Sequence, residues 1–124
     1  MTDRQLIITA ALTLLTGVAA GAFGAHGLKR ILGPEWLPVW QTAVLYQLIH
    51  GLGMLAIAAL GARFGSALLS NAGLAMFAGI VLFSGSLYVL ALTGTRWLGA
   101  ITPIGGLFFL AAWAMVAIAA YRAP

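Results

Sequence analysis

Long apolar stretches separated by short charged punctuation make up this chain. Stretches free of Asp, Glu, Lys and Arg run over Gln5–Leu28, Trp36–Ala62, Phe64–Thr95 and Trp97–Tyr121. A helix needs about 20 mostly apolar residues to cross roughly 30 Å of hydrocarbon, so each stretch holds one crossing and none holds two. Trimming the polar ends predicts spans over Leu6–Ala25, Thr42–Ala62, Ala72–Leu92 and Pro103–Tyr121. Period-two alternation with regular turns is absent, which sets aside a membrane β-barrel. The predicted fold class is all-α. It is an integral membrane bundle of four transmembrane helices, a single domain over residues 1–124, with a short interfacial segment between the first and second spans.

Local signals refine the ends. Leu6–Ala20 also has the length of a signal-peptide core, and Ala20-Gly21-Ala22 has cleavage-site spacing. The positive flank is only Arg4, offset by Asp3, so an uncleaved span is the expectation. Pro103 behind Thr102 reads as a first-turn proline after an N-cap, where its missing N–H costs nothing. Gly33-Pro34-Glu35 reads as a second helix start, with Pro38 holding that first turn at the membrane edge. Trp36, Trp40 and Trp97 fall where indole rings settle between headgroups and acyl chains, which makes Leu28–Trp40 the interfacial segment. Ala62–Asn71 reads as a polar connection. With four spans, Arg4, Arg63 and Arg122 share one side and Lys29, Arg30 and Arg96 the other, so the positive-inside count is balanced.

Composition excludes whole classes of function. Hydrophobic residues make up 63% of the 124 and charged residues 6%, with a mean hydropathy of +1.08. A soluble domain carries about a quarter charged residues, so a cytoplasmic enzyme and a disordered tail are set aside. The six basic residues are scattered and form no phosphate-tracking patch, so nucleic acid is not an expected partner. There is no cysteine, hence no disulfide, thiolate nucleophile or zinc–thiolate site.

Polar groups inside a bilayer are costly, so the few present are the candidates for function. Tyr46, Gln47 and His50 stand at i−4, i−3 and i on the second span and form one expected patch. Two readings of His50 stay open: a neutral imidazole hydrogen-bonded to a neighbouring helix, or a proton-handling or ligand-binding group. His26 ends the first span ahead of Gly27, where it would satisfy carbonyls at a fraying helix end. The run Gly21, Gly24, Gly27 has no strand before it, so a phosphate loop is set aside. No metal or other cofactor is expected, since His26 and His50 are too far apart and no cysteine or intramembrane carboxylate completes a shell. Asp3 and Glu35 are the only carboxylates and neither lies in a span. Paired-carboxylate catalysis and carboxylate-coupled exchange therefore lack their groups. Ser84 and Ser86 have no acid to orient a base, and Ser84 and Tyr88 are expected to bond across helices instead.

Packing signals are denser than chemical ones. Thr9, Thr13, Gly17, Gly21 and Ala25 recur at every fourth position along the first span, and Ala75 and Gly79 repeat the spacing in the third. Such ridges let helix backbones approach in lipid, either within the chain or between copies in a homo-oligomer. Gly105-Gly106 opens the fourth span with the same freedom.

Four ordered motifs carry a resemblance. They are Gly21-Ala22-Phe23-Gly24-Ala25-His26-Gly27; Gln41-Thr42-Ala43-Val44 leading to Tyr46-Gln47 and His50; Leu82-Phe83-Ser84-Gly85-Ser86-Leu87-Tyr88; and Thr102-Pro103 with Gly105-Gly106 and Trp113. In this order they resemble the YgdD-type small integral membrane proteins, which have small eukaryotic transmembrane relatives. Ala112 departs from the glycine that many relatives place before the tryptophan, a change expected to affect packing. The resemblance implies a bacterial cell-membrane location and brings no activity, cofactor or catalytic residue. The expected function is that of a non-enzymatic membrane protein acting through packing, lipid contact or partner binding. The alternative is a channel or transporter for a small solute, proton or ion built on Tyr46, Gln47 and His50.

Overall fold

A chain in lipid must satisfy its peptide groups internally, and for apolar stretches of this length the helix does so. The computed structural model describes residues 1–124 and contains helices and no strands. The four long helices are α1 (Asp3–His26), α2 (Leu37–Phe64), α3 (Ala67–Thr93) and α4 (Thr102–Arg122). All four are long and apolar enough to cross a membrane.

Their ends follow from local chemistry. Thr2 and Gln5 form a reciprocal capping box that starts α1. Pro38 sits in the first turn of α2, where its missing N–H breaks no ladder. α2 stops at Gly65, whose φ of 35° is left-handed, and Ser66 then caps α3 by accepting from the Leu69 N–H at 3.1 Å. The polar connection expected over Ala62–Asn71 is thus much shorter: Gly65 and Ser66 alone turn the chain, and the flanking residues are helical. Two other expectations need correction. Gly33-Pro34-Glu35 forms a turn, with the Gly33 carbonyl accepting from Trp36 and Leu37, and the helix itself begins at Leu37. Thr102 is the first residue of α4 rather than its cap, because a short 3-10 helix over Arg96–Ala100 already feeds the chain into the helical path.

α2 and α3 form the central pair, with α1 packed on α2 and α4 packed on α3, while α2 and α4 touch lightly. About half of the apolar window of α2 is buried, at 50%, against 22% in α1 and in α4. One core joins Leu6 and Ala10 of α1, Met54 and Ile57 of α2, Met76 and Ile80 of α3, and Phe109 and Ala112 of α4. A second, smaller core near the α1–α2 connection collects Leu28, Trp40, Val44 and Ala91. Trp40 is therefore a buried residue and not the headgroup-level ring expected from its position. Its Nε1 donates to the Ala20 carbonyl at 2.9 Å, and its ring meets Tyr88 edge-on at 4.6 Å. Trp97 is exposed, and Trp36 lies under the Arg96 guanidinium at 5.5 Å.

Glycine sets the helix spacing. A Cβ on Gly17 would stand 2.8 Å from Leu48, and one on Gly24 would stand 2.6 Å from the Trp40 indole nitrogen. A Cβ on Gly79 would overlap the Phe109 ring at 2.5 Å. One on Gly105 would overlap the Phe83 backbone, with its Cα at 2.7 Å. Gly21 is looser, at 3.1 Å from Val44, and Gly106 is nearly free, at 4.0 Å from Phe83. These glycines meet helices of the same chain.

The sharpest contrast lies between Gly105 and Gly85, since nothing stands within 4 Å of a Cβ on Gly85. Gly105→Ala forces backbone apart and is expected to destabilise by about 1–3 kcal/mol. Gly85→Ala is expected to stabilise by about 0.5–1 kcal/mol through helix propensity. Thermal unfolding of both variants in detergent checks the order, and equal melting temperatures would contradict it.

Candidate functional site

The polar side chains of the central helices fall into two separate groups. The first is centred on Gln47, which is buried where α1, α2 and α3 meet. Its Nε2 donates to the Thr13 carbonyl and to the Thr16 hydroxyl, each at 2.9 Å, and its Oε1 accepts from the Tyr88 hydroxyl. A carbonyl can only accept, so Thr13 fixes which end of the amide is nitrogen. Beside it, Ser84 is 1% exposed and donates to the Ala43 carbonyl of α2 at 2.7 Å. The expected bonding of Ser84 and Tyr88 across helices is present in both cases.

The second group is centred on His50, 4% exposed, where α2 faces α4. Its Nε2 lies 3.1 Å from Trp113 Nε1, and its Nδ1 lies 2.8 Å from the Tyr46 carbonyl. Indole nitrogen only donates, so Nε2 must accept and Nδ1 must carry the hydrogen that it gives to Tyr46. One neutral tautomer satisfies both nitrogens. A proton on Nε2 would set two donors face to face. The ring also stacks on Phe109, with centroids 3.5 Å apart and planes 10° apart.

The single patch expected from Tyr46, Gln47 and His50 is thus divided. On a helix, one residue step turns the side chain by about 100°. That step carries Gln47 toward α1 and α3, while Tyr46 and His50 face Phe83, Phe109 and Trp113. Two recesses follow the same division. One of about 640 Å³ is lined by Tyr46 and His50, and one of about 330 Å³ by Gln47, Ser84 and Tyr88. They share no lining residue.

The remaining candidates lie outside both groups. Ser86 donates to its own helix at Phe83 and pairs with the Thr102 hydroxyl at 2.6 Å, tying α3 to the start of α4. His26 is exposed at the last residue of α1, and the Gly27 N–H, not the imidazole, bonds the Phe23 carbonyl. No group of three or more His, Cys, Asp or Glu is placed to hold a metal. Every buried side-chain nitrogen and oxygen has a partner.

Sequence reasoning passed over three contributors. Thr13 stood only as a ridge position and Thr16 was not singled out, yet one offers a carbonyl and the other a hydroxyl to Gln47. Trp113 lies mid-span, far from the membrane edges where indoles normally gather, and that displacement is the signal of a hydrogen-bonding role.

A small multi-pass integral membrane protein, closed by internal polar contacts, is what these elements define. The family described as a protein of unknown function, DUF423, matches residues 20–106. The UPF0382 membrane protein SH2409 of Staphylococcus haemolyticus is 49% identical over 119 residues, covering 96% of this chain and 97% of that protein. The UPF0382 membrane protein YwdK of Bacillus subtilis is 47% identical over 120 residues, covering 96% and 98%. The chain belongs to this DUF423/UPF0382 family of bacterial membrane proteins. No solved structure matches it.

Two outcomes test the polar groups. A double-mutant cycle of Gln47→Leu with Tyr88→Phe should give a coupling of about 0.6–1.7 kcal/mol, the range for interhelical hydrogen bonds in membranes. Denaturant unfolding in mixed micelles reads it. His50→Leu should destabilise by about 1–2 kcal/mol and His50→Gln by less, because an amide can both donate and accept. Equal losses in the two His50 variants would contradict the hydrogen-bonding role of the imidazole between α2 and α4.

Proposed function

We propose that this protein is a non-enzymatic membrane component that works through its lipid-facing and partner-facing surfaces, and conducts nothing through its interior. The observation that carries this reading is the division of the polar residues into two recesses with no common lining residue. A solute or proton path needs polar groups in series with accessible, exchangeable bonds. Here Gln47, His50 and Ser84 bond within the chain instead. The lack of any cysteine, and of any carboxylate on the four long helices beyond Asp3 at the first residue of α1, supports the non-enzymatic part of the reading.

Lipid is the first partner. Ile8, Leu12, Leu15 and Val18 of α1 are between 51% and 64% exposed, and Leu107 and Leu110 of α4 are 65% and 69% exposed. Apolar side chains of this size, on helices long enough to span, belong against acyl chains. A homo-oligomer would draw on these outer faces, because Gly17, Gly79 and Gly105 already meet helices of their own chain. On the four ordered motifs, we also extend the family to the YgdD-type proteins.

Reconstitution tests this. Proteoliposomes carrying a trapped pH indicator should show no proton or small-cation flux above protein-free vesicles under an imposed gradient. A flux that is lost in folded His50→Gln would overturn the reading.

A further inference from the structure

The recess beside His50 runs between α2 and α4 over Phe83 of α3, and its volume of about 640 Å³ is roughly twice that of the recess over Gln47. Ligand sites typically occupy about 300–1,000 Å³, are mostly apolar and carry a few placed polar groups. Its floor consists of rings. Tyr46 packs on Phe83 at 4.4 Å, Phe83 on Phe109 at 5.5 Å, and Trp113 stands beside His50. Its walls are the exposed side chains of Leu45 and Ile49 on α2 and of Leu107 and Leu110 on α4, so it opens sideways toward lipid. Along α4 it extends from Pro103 to Trp113, about 15 Å at 1.5 Å per residue, from the start of the helix to its middle.

Two features select an occupant. No charged side chain lines the recess, so an anionic or cationic headgroup would find no counter-charge within it. Every other polar group on the floor is taken, since both His50 nitrogens and the Trp113 N–H are paired. Among the polar side chains that line the recess, only the Tyr46 hydroxyl has no hydrogen bond within the chain, and it keeps some accessible surface. A phenol at membrane depth without a partner is costly, and an acceptor delivered by a ligand removes that cost.

Building on the lipid-contact reading above, we propose that this recess binds a neutral, chain-bearing carbonyl lipid that enters laterally between α2 and α4. Its carbonyl oxygen accepts from the Tyr46 hydroxyl and its chain lies along the α4 wall. Two sources share this chemistry, a quinone and a diacylglycerol. A planar quinone ring would also stack on the aromatic floor.

The purified protein in micelles, titrated separately with a decyl-chain benzoquinone and with a dibrominated diacylglycerol, tests the proposal. Both probes quench tryptophan fluorescence, and Trp113 lines the recess. A Cβ on Gly106 meets only Phe83, at 4.0 Å, so Gly106→Leu fills the recess without backbone overlap. Leu107→Phe narrows it from an exposed position without adding a fluorophore that the readout would see, should the first variant fold poorly. Saturable quenching by at least one probe is expected in the wild type. It should weaken at least tenfold in a filled variant that keeps its melting temperature, and about fivefold in Tyr46→Phe for one lost hydrogen bond. Saturation by the quinone alone assigns the ring-bearing source, and saturation by both assigns any neutral carbonyl lipid. Quenching that never saturates, or that is equal in wild type and variants, overturns the proposal. The flux experiment is independent of this result, so the ligand site can fail while the non-conducting reading stands.

Discussion

Lipid tails are as apolar as leucine, so nothing expels one apolar helix from the bilayer onto another. Association must come from close backbone approach and from hydrogen bonds that lipid does not offer. The arrangement of this chain follows from that constraint at each contact. α1 meets α2 where Gly17 admits Leu48, and the Gln47 amide reaches back to Thr13 and Thr16 on the same stretch. α2 meets α3 through Ser84 and the Ala43 carbonyl. α3 meets α4 where Gly79 admits Phe109, Gly105 lies against Phe83 and Ser86 pairs with Thr102. A small residue and a polar tie recur together because each makes the other effective. The glycine brings the helices within reach, and the bond then fixes their register.

The same constraint decides the state of the polar residues. Gln47 is held by three partners on two other helices, which leaves its amide a single orientation. His50 is held by an obligate donor on one nitrogen and a carbonyl on the other, which leaves a single neutral tautomer. Histidine is otherwise the side chain best suited to switching charge near neutrality. Here its surroundings convert it into a fixed connector between α2 and α4, with Phe109 stacked on its face.

Much of the architecture was legible from the spacing of charges and glycines. Span number, helical class, the ridge at Thr13 and Gly17, and the cross-helix bonding of Ser84 and Tyr88 all follow from the length of apolar runs and from the cost of leaving hydroxyls unpaired. Element ends were less legible. The Ala62–Asn71 segment looks like a loop because it holds Arg63, Ser70 and Asn71, but polar residues at a membrane edge are equally at home on a helix, and only Gly65 has the left-handed backbone that a turn requires. Trp40 misled for a related reason. Its place near a span end suggested a headgroup-level ring, whereas Gly24 opposite provides a seat for the indole and the Ala20 carbonyl an acceptor. The division of Tyr46 and His50 from Gln47 was out of reach because a helical wheel gives angles on one helix and not which neighbour occupies each direction.

That division gives the molecule two unlike sides. Around Gln47, short polar side chains close on one another, with the Gln47 amide and the Ser84 and Tyr88 hydroxyls all bonded across helices. Around His50, the bonds point inward to Tyr46 and Trp113, and what faces the lipid is a bank of aromatic rings with one free phenol. The light contact between α2 and α4 keeps that bank open. Closing it would require a fourth helix packed against both central ones, and α4 instead leans on α3, because Gly79 and Gly105 draw its backbone there. The glycines that hold α4 in place thus also keep it off α2, so the stability of the bundle and the opening of its aromatic recess have the same cause.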